Sequence, residues 1–424
     1  MTESSRRAFL AVCGATAFTG CASLGSQSLS TQSDSADWPL FAHDSKNTGY
    51  NSHASGPKSS PTERWRVRTH DLREEFRGYA LTPSPAIIGD RVYVGGETFS
   101  AHDLSDGSVV WESVGEDAYY GTGFADETLF VATWDKSSET SSISAFDTDG
   151  NRKWKQKTGS RRGLAPTIGG STVYAPSDPK LVALDRQNGN RQWETKTVQP
   201  YPTQPSVADA VYIPTGWDGC IARSRKQDPL ASVLSHPPKK QWTHDPDGII
   251  RTPPAVGSRY VYAAMSGEWH PDVNPKQPRL FALTSGGKVA WSRPAGTIST
   301  TPVVGDGVVF EKTGVFVEKV REAGYVRGRF DAKITAHDAE DGEVRWQRTV
   351  DGFGSWHIQP VLADKVLYVP LHEEIGRESR LLALDAKTGE TLWNHMLDAP
   401  TTHLAVAEST LYVTSYDGIL HAFE

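Results

Sequence analysis

The chain has 424 residues, with 44 Lys and Arg against 51 Asp and Glu for a formal net charge of −7. Hydrophobic residues make up 37% and charged residues 22%, the balance of a folded globular body rather than a disordered chain. The mild acidity, and the lack of any run of five Lys or Arg, argue against a nucleic-acid partner.

Residues 1–20 read as an export address. Arg6 and Arg7 precede Phe9-Leu10 and a short apolar run, which together resemble a twin-arginine signal. Phe18-Thr19-Gly20-Cys21 resembles a lipobox, and cleavage before Cys21 would free that residue for lipid attachment. Residues 21–37 are rich in Ser and Thr and read as a flexible tether. No later stretch holds the ~20 apolar residues a membrane span needs, so lipid is the expected membrane contact. Of the three cysteines only Cys220 would remain in the mature body, so no disulfide staple is expected.

A lead-in segment, 38–60, is followed by a repeat that fills 61–424. The phrase A-x-D-x-x-[TDN]-G-x-x-x-W appears at 101–111, 183–193, 336–346 and 383–393. Shorter forms stand at 145–154 and 282–291, and a degenerate copy with an insertion runs from Ala222 to Trp242. Trp65, Trp111, Trp154, Trp193, Trp242, Trp291, Trp346 and Trp393 mark the units, at spacings of 39 to 55 residues. Each phrase follows two short β-like runs, as in TPSPAIIGDRVYVGG at 82–96, so each unit holds four antiparallel strands. The Asp can accept a turn hydrogen bond, the Gly can take a positive φ, and the Trp can be buried against the neighbouring unit.

Four-stranded units of this length with a docking Trp predict a β-propeller. Seven phrases end in Trp, whereas the last unit stops at Phe423-Glu424, where a fourth strand is due. The missing strand is found at 61–67, around Trp65. The fold expected is all-β, an eight-bladed propeller whose N-terminal strand closes the C-terminal blade and removes the open edge.

The phrase resembles the tryptophan-docking repeat of the pyrroloquinoline-quinone (PQQ) dehydrogenase superfamily, and WPLFAHDSKNTGY at 38–50 is similar to the lead-in found before such propellers. The resemblance covers nearly all of 61–424. It implies one of two things: a dehydrogenase using PQQ and calcium, or a non-enzymatic lipoprotein of the kind that serves as a propeller scaffold in outer-membrane β-barrel assembly. This sequence lacks the adjacent Cys-Cys pair of many such dehydrogenases and a clear calcium-ligand set, so the scaffold is the reading taken and no cofactor or metal is expected.

In a propeller the connections from each outer strand to the next inner strand gather on one face. That geometry would bring Arg77, Arg161, Arg162 and Arg251 toward one rim, with Trp356 and His357 nearby, as a candidate site for an anionic or carbohydrate-like ligand. Pairing with local acids is the plainer account of those arginines. Long loops between second and third strands, at 266–279, 312–333 and 371–379, form the candidate partner face. The sequence therefore points to an exported, lipid-anchored propeller on the outer side of a membrane, binding a protein or cell-envelope partner through its face loops. A PQQ- and calcium-dependent dehydrogenase and a polyanion- or polysaccharide-binding surface protein are the alternatives.

Overall fold

The computed structural model describes residues 36–69, 84–113, 117–159, 164–177, 179–197, 203–216, 219–225, 235–246, 248–267, 277–322, 325–352, 358–372 and 379–424. They form an eight-bladed β-propeller of antiparallel sheets. In chain order, blade 1 spans 86–113, blade 2 spans 117–159, blade 3 spans 167–196 and blade 4 spans 206–244. Blade 5 spans 255–294, blade 6 spans 298–350 and blade 7 spans 361–397. Blade 8 takes three strands from 401–423 and its fourth from Glu63–Arg68.

The repeat phrase is explained by one transverse row that recurs in every blade. In blade 1, Tyr93 of the second strand pairs with Ala101 of the third, and Ala101 with Trp111 of the fourth. Blade 2 repeats it with Phe130, Ala145 and Trp154, and blade 8 with Tyr412, Ala422 and Trp65 across the chain ends. The alanine is fully buried in each of these rows, and only its methyl leaves space for an aromatic ring on each side. Ring centroids are 6.1 Å apart for Tyr93 and Trp111 and 5.9 Å apart for Tyr412 and Trp65.

Trp65, Trp111, Trp154, Trp242, Trp291 and Trp346 also reach into the following blade. Trp111 donates its indole N–H to Thr148 O at 2.8 Å, and Trp346 to Ala386 O at 2.9 Å, both carbonyls lying in the next blade's last turn. The glycine of that turn lies flat on the ring. Gly342 has φ +75°, and a Cβ there would come within 2.6 Å of Trp291. Both its conformation and its neighbour therefore demand glycine. The turn aspartate is fixed as well: Asp385 accepts the N–H groups of Lys387 and Thr388 at 2.9 and 2.8 Å. Roughly 150 to 250 Å² of ring, at about 25 cal/mol per Å², contributes on the order of 4 to 6 kcal/mol gross per blade contact.

Ring closure follows the expected route. Trp65 pairs with Ala422 and Arg66 with His421, while Thr62 and Glu424 exchange backbone hydrogen bonds at 2.8 and 3.0 Å. Cys220 is buried in blade 4, and burial pushes its thiol up to about 12, so it is an inert core residue.

One expectation is corrected. The segment 312–333, read as a loop, is a two-stranded ribbon: Val308–Glu322 pairs with Tyr325–Asp338 from end to end. The reason is its run of β-branched and aromatic residues, Val315 to Val317 and Phe330, which favours extended chain. Similarly, His372 is the buried last residue of a strand paired with Ser379, so the 371–379 loop is shorter than its sequence suggests.

Candidate functional site

Every inner strand of a propeller presents one unpaired backbone edge to the central axis, and those N–H groups need acceptors. In this chain the lead-in supplies them. At the end of the ring where first strands turn into second strands, residues 36–51 run once around the axis and offer carbonyls to successive blades. Ala36 O accepts from Glu408 N of blade 8 at 3.3 Å, and Trp38 O from Ile87 N of blade 1 at 3.0 Å. Pro39 O accepts from Phe124 N of blade 2, and Leu40 is packed with Ile168 of blade 3. Ser45, Lys46, Thr48 and Gly49 then serve Val207, Val256, Val304 and Leu362 of blades 4, 5, 6 and 7, at 2.6 to 2.9 Å. Tyr50–Asn51 finish the circuit as a parallel strand beside blade 7.

This strap is held by its own polar side chains. Asn51, almost fully buried, donates to Ala36 O, Asp37 O and Val406 O at 3.1, 2.9 and 3.0 Å and accepts from His53 N at 3.0 Å, tying the strap's start to its end. Asp44 accepts from Lys46 N and Thr48 N, both at 3.0 Å, and from the Thr48 hydroxyl at 2.8 Å. Burial raises the Asp44 carboxyl despite those donors. His43 is buried beside Trp38, with ring centroids 5.1 Å apart, and neither ring nitrogen has a hydrogen-bond partner. Burial, aided by the nearby His53, lowers its imidazole to about 4, so the ring is neutral.

The strap blocks one end of the axis and leaves the opposite face, where outer strands lead into inner ones and second strands into third. Of the sequence-predicted rim, Arg251 is described and is exposed, just after Ile250, whose N–H bonds Gly216 O at 3.1 Å. Arg77, Arg161, Arg162, Trp356 and His357 lie outside the described residues, as do Arg6, Arg7 and Cys21. The eight marker tryptophans sit on outer strands between blades, away from the axis. Lys312 is buried at the same face, with Nζ 3.3 Å from Ile358 O, and burial lowers its ammonium to about 7. Among the described residues no three His, Cys, Asp or Glu gather as a cluster that could hold a metal ion.

One row has the order of nucleophile, base and acid. His421 Nδ1 is 2.7 Å from Glu63 Oε1, and its Nε2 is 3.3 Å from Ser415 Oγ. Ser415 is buried and its hydroxyl also meets Asp417 Oδ1 at 2.5 Å and Ile419 O at 3.1 Å, so it is committed to the turn and not available to a substrate. The row pins the closing strand. Sequence reading missed both this pin and the strap, and the one signal for the strap was the Asn-Thr-Gly turn at 47–49, where Asn47 and Gly49 have φ of 55° and 64°.

With the fold and its closed end described, comparison with known proteins decides the family. The family model described as "Outer membrane protein assembly factor BamB" matches residues 58–274 and 330–424. The chain belongs to the BamB family. It is 26% identical over 191 residues to BamB of Bordetella pertussis, covering 44% of this chain and 46% of that protein. To BamB of Yersinia pestis it is 23% identical over 271 residues, covering 60% and 59%. The chain thus aligns with about half to three fifths of the length of these relatives. Among solved structures, BamB from Moraxella catarrhalis superposes with a TM-score of 0.59 at 17% identity, over 86% of this chain and 98% of that one. Quinohemoprotein alcohol dehydrogenase from Comamonas testosteroni gives 0.63 at 13% identity, over 92% and 80%. At those identities the structural likeness is one of fold, shared by a BamB protein and a dehydrogenase alike.

Proposed function

We propose that this chain is an exported, lipid-anchored propeller that serves as a binding and assembly scaffold for envelope proteins on the outer side of a membrane. The observation that carries the reading is the BamB match over most of the ring, in relatives named as assembly factors. The strap supports it: the tether from Cys21 leads to Ala36, at the closed end of the ring, which leaves the face bearing Arg251 and the long connections for a partner. On this reading the protein works by presenting surface and not by bond-making.

Two experiments test it. Fractionation of cells carrying Arg6→Lys with Arg7→Lys, or Cys21→Ser, is expected to show retention inside the cell for the first and release from the membrane for the second. Unchanged fractionation of both removes the export and anchor claims. Cells lacking the chain are expected to hold reduced amounts of integral envelope proteins. Titration of the purified chain with PQQ and calcium covers the enzyme alternative: saturable binding, with dye reduction on adding an alcohol, would replace the scaffold with a dehydrogenase. Saturable binding of heparin, lost in Arg251→Glu, would favour the polyanion-binding alternative.

A further inference from the structure

We propose that the cleft between blades 3 and 4, at the strap end of the ring, is a binding site for an acidic saccharide, a sugar ring that carries a carboxylate. Blade 4 departs from the repeat at this place. Ala222 pairs with Trp242 as Ala183 pairs with Trp193, so Ser224 stands where blade 3 has Asp185, and no glycine occurs between Arg225 and Trp242. The turn that elsewhere covers the preceding blade's tryptophan therefore lacks both of its fixed residues. The other seven marker tryptophans donate their indole N–H to a carbonyl of the following turn or, for Trp393, to Pro57. Trp193 is buried, and its N–H has no acceptor among the described residues. The residue before it, Gln192, lines a cavity of about 420 Å³, within the roughly 300 to 1,000 Å³ of small-molecule sites.

Every side chain that lines the cavity is polar, so it suits a ligand with hydrogen-bonding groups on all sides. A lipid or an apolar peptide would strip water from these groups without replacing its hydrogen bonds. Arg225 is half-buried, donates to Ala208 O at 2.9 Å and lies by the Tyr174 hydroxyl, contacts that fix the guanidinium and leave further N–H groups for a ligand. Arg191 is committed to Glu194 at 2.8 Å, whereas Arg225 has no acid partner among the described residues. A carboxylate matches that planar set of donors. The last turn of blade 3 supplies the amides. Gln192 accepts the Thr172 hydroxyl at 3.1 Å through Oε1, and Asn188 accepts Asn190 N at 2.9 Å through Oδ1, so both amides are oriented with their NH2 groups left to pair. Sugar hydroxyls, which donate and accept, complement such amides. The one carboxylate of the lining, Asp185, faces its own turn and accepts the N–H groups of Gln187 and Asn188 at 3.0 and 3.1 Å.

The test is calorimetric titration of the full chain in mild detergent with D-glucuronate, glucose and acetate. Glucuronate is expected to bind saturably, and glucose and acetate each about tenfold more weakly, since one lacks the charge and the other the hydroxyls. Arg225→Met is expected to remove the preference for glucuronate over glucose. Asn190→Ala changes an exposed turn side chain and is expected to weaken glucuronate roughly fivefold, with an unchanged melting temperature as the check on folding. Absence of saturable glucuronate binding overturns the proposal. So does acetate that binds as tightly as glucuronate, which makes the cleft a carboxylate site without a sugar, or glucose that binds as tightly, which removes the charge from recognition. Folded Arg225→Met and Asn190→Ala chains that both bind glucuronate like wild type overturn it as well, since the sugar then sits elsewhere. The inference is independent of the scaffold reading, which a failure to bind would leave standing.

Discussion

Trp393 donates its indole N–H to the carbonyl of Pro57 at 2.7 Å, a bond that joins residues 336 positions apart. In the other blades whose bond is described, the acceptor is a carbonyl of the following blade's last turn. Blade 8 has no such turn, because its third and fourth strands come from opposite ends of the chain. The lead-in fills the vacancy, so blade 7 docks there, beyond the end of the strap, instead of on a neighbour of its own kind. Trp393→Phe should lose the bond with most of the packing, at about 1 kcal/mol, and Trp393→Ala about 3 to 5 kcal/mol. Chemical unfolding measures both, and a Trp393→Phe variant as stable as wild type would remove the bond from the account.

Asn51 is the strap's clasp. Asn51→Ala removes a donor from the carbonyls of Ala36, Asp37 and Val406 in a buried place, and should cost about 1 to 3 kcal/mol. Hydrogen exchange should rise first at Ile87 and Leu362, whose amides the strap covers. Faster exchange spread evenly over all blades would instead mean that the strap and ring open as one unit.

Two turn glycines separate conformation from contact. Gly307 has φ +72° with nothing nearer a Cβ than Arg345 Nη2 at 4.0 Å, whereas Gly342, at a similar φ, lies against Trp291. Gly307→Ala should cost about 1 kcal/mol through backbone strain alone. Gly342→Ala adds displacement of the indole and should cost about 1 to 3 kcal/mol more, read as the difference in melting midpoint. Equal costs would show that the ring does not rest on the glycine.

Acid should loosen the strap end of the ring. Burial holds His43 and His403 at about 4, below the free imidazole's 6.5, so as pH falls the unfolded chain takes up protons first. The stability due to these neutral rings is complete above about pH 6.5 and is lost progressively down to about pH 4. Asp44 runs the other way: its carboxyl is raised, so its contribution is present at low pH and is lost as pH rises through its folded value. His43→Asn and His403→Gln should each flatten the fall in unfolding free energy between pH 6.5 and 4. A slope unchanged in both would mean that other groups set the acid limit.

The repeat phrase was legible because its parts act over one blade and the next turn: Ala, Asp, Gly and Trp each have a local or nearest-neighbour job that residue type alone can encode. Even the swap of Glu63–Arg68 into blade 8 was readable, since a missing fourth strand and a stray Trp65 are both visible in the sequence. The strap was not, because its bonds run from backbone to backbone and any residue has a carbonyl to give. The ribbon was misread for another reason: Gly314 and the charges from Glu318 to Glu322 look like a surface loop, while the pairing that makes them strand, from Val308 opposite Asp338 to Glu322 opposite Tyr325, is seen only in the structure. Of the rim residues, Arg251 alone lies among the described residues, where it is exposed.

The closure between Trp65 and Ala422 has a consequence for biosynthesis. The first blade-forming strand to be made waits unpaired while more than three hundred residues are polymerised, and the strap cannot complete its circuit until blade 8 exists. Such remote contacts impose slow, late ring closure. A truncated product would therefore carry an open edge and a loose N-terminus, a form that proteases can distinguish from the finished ring, so synthesis to the last strand is itself a quality checkpoint.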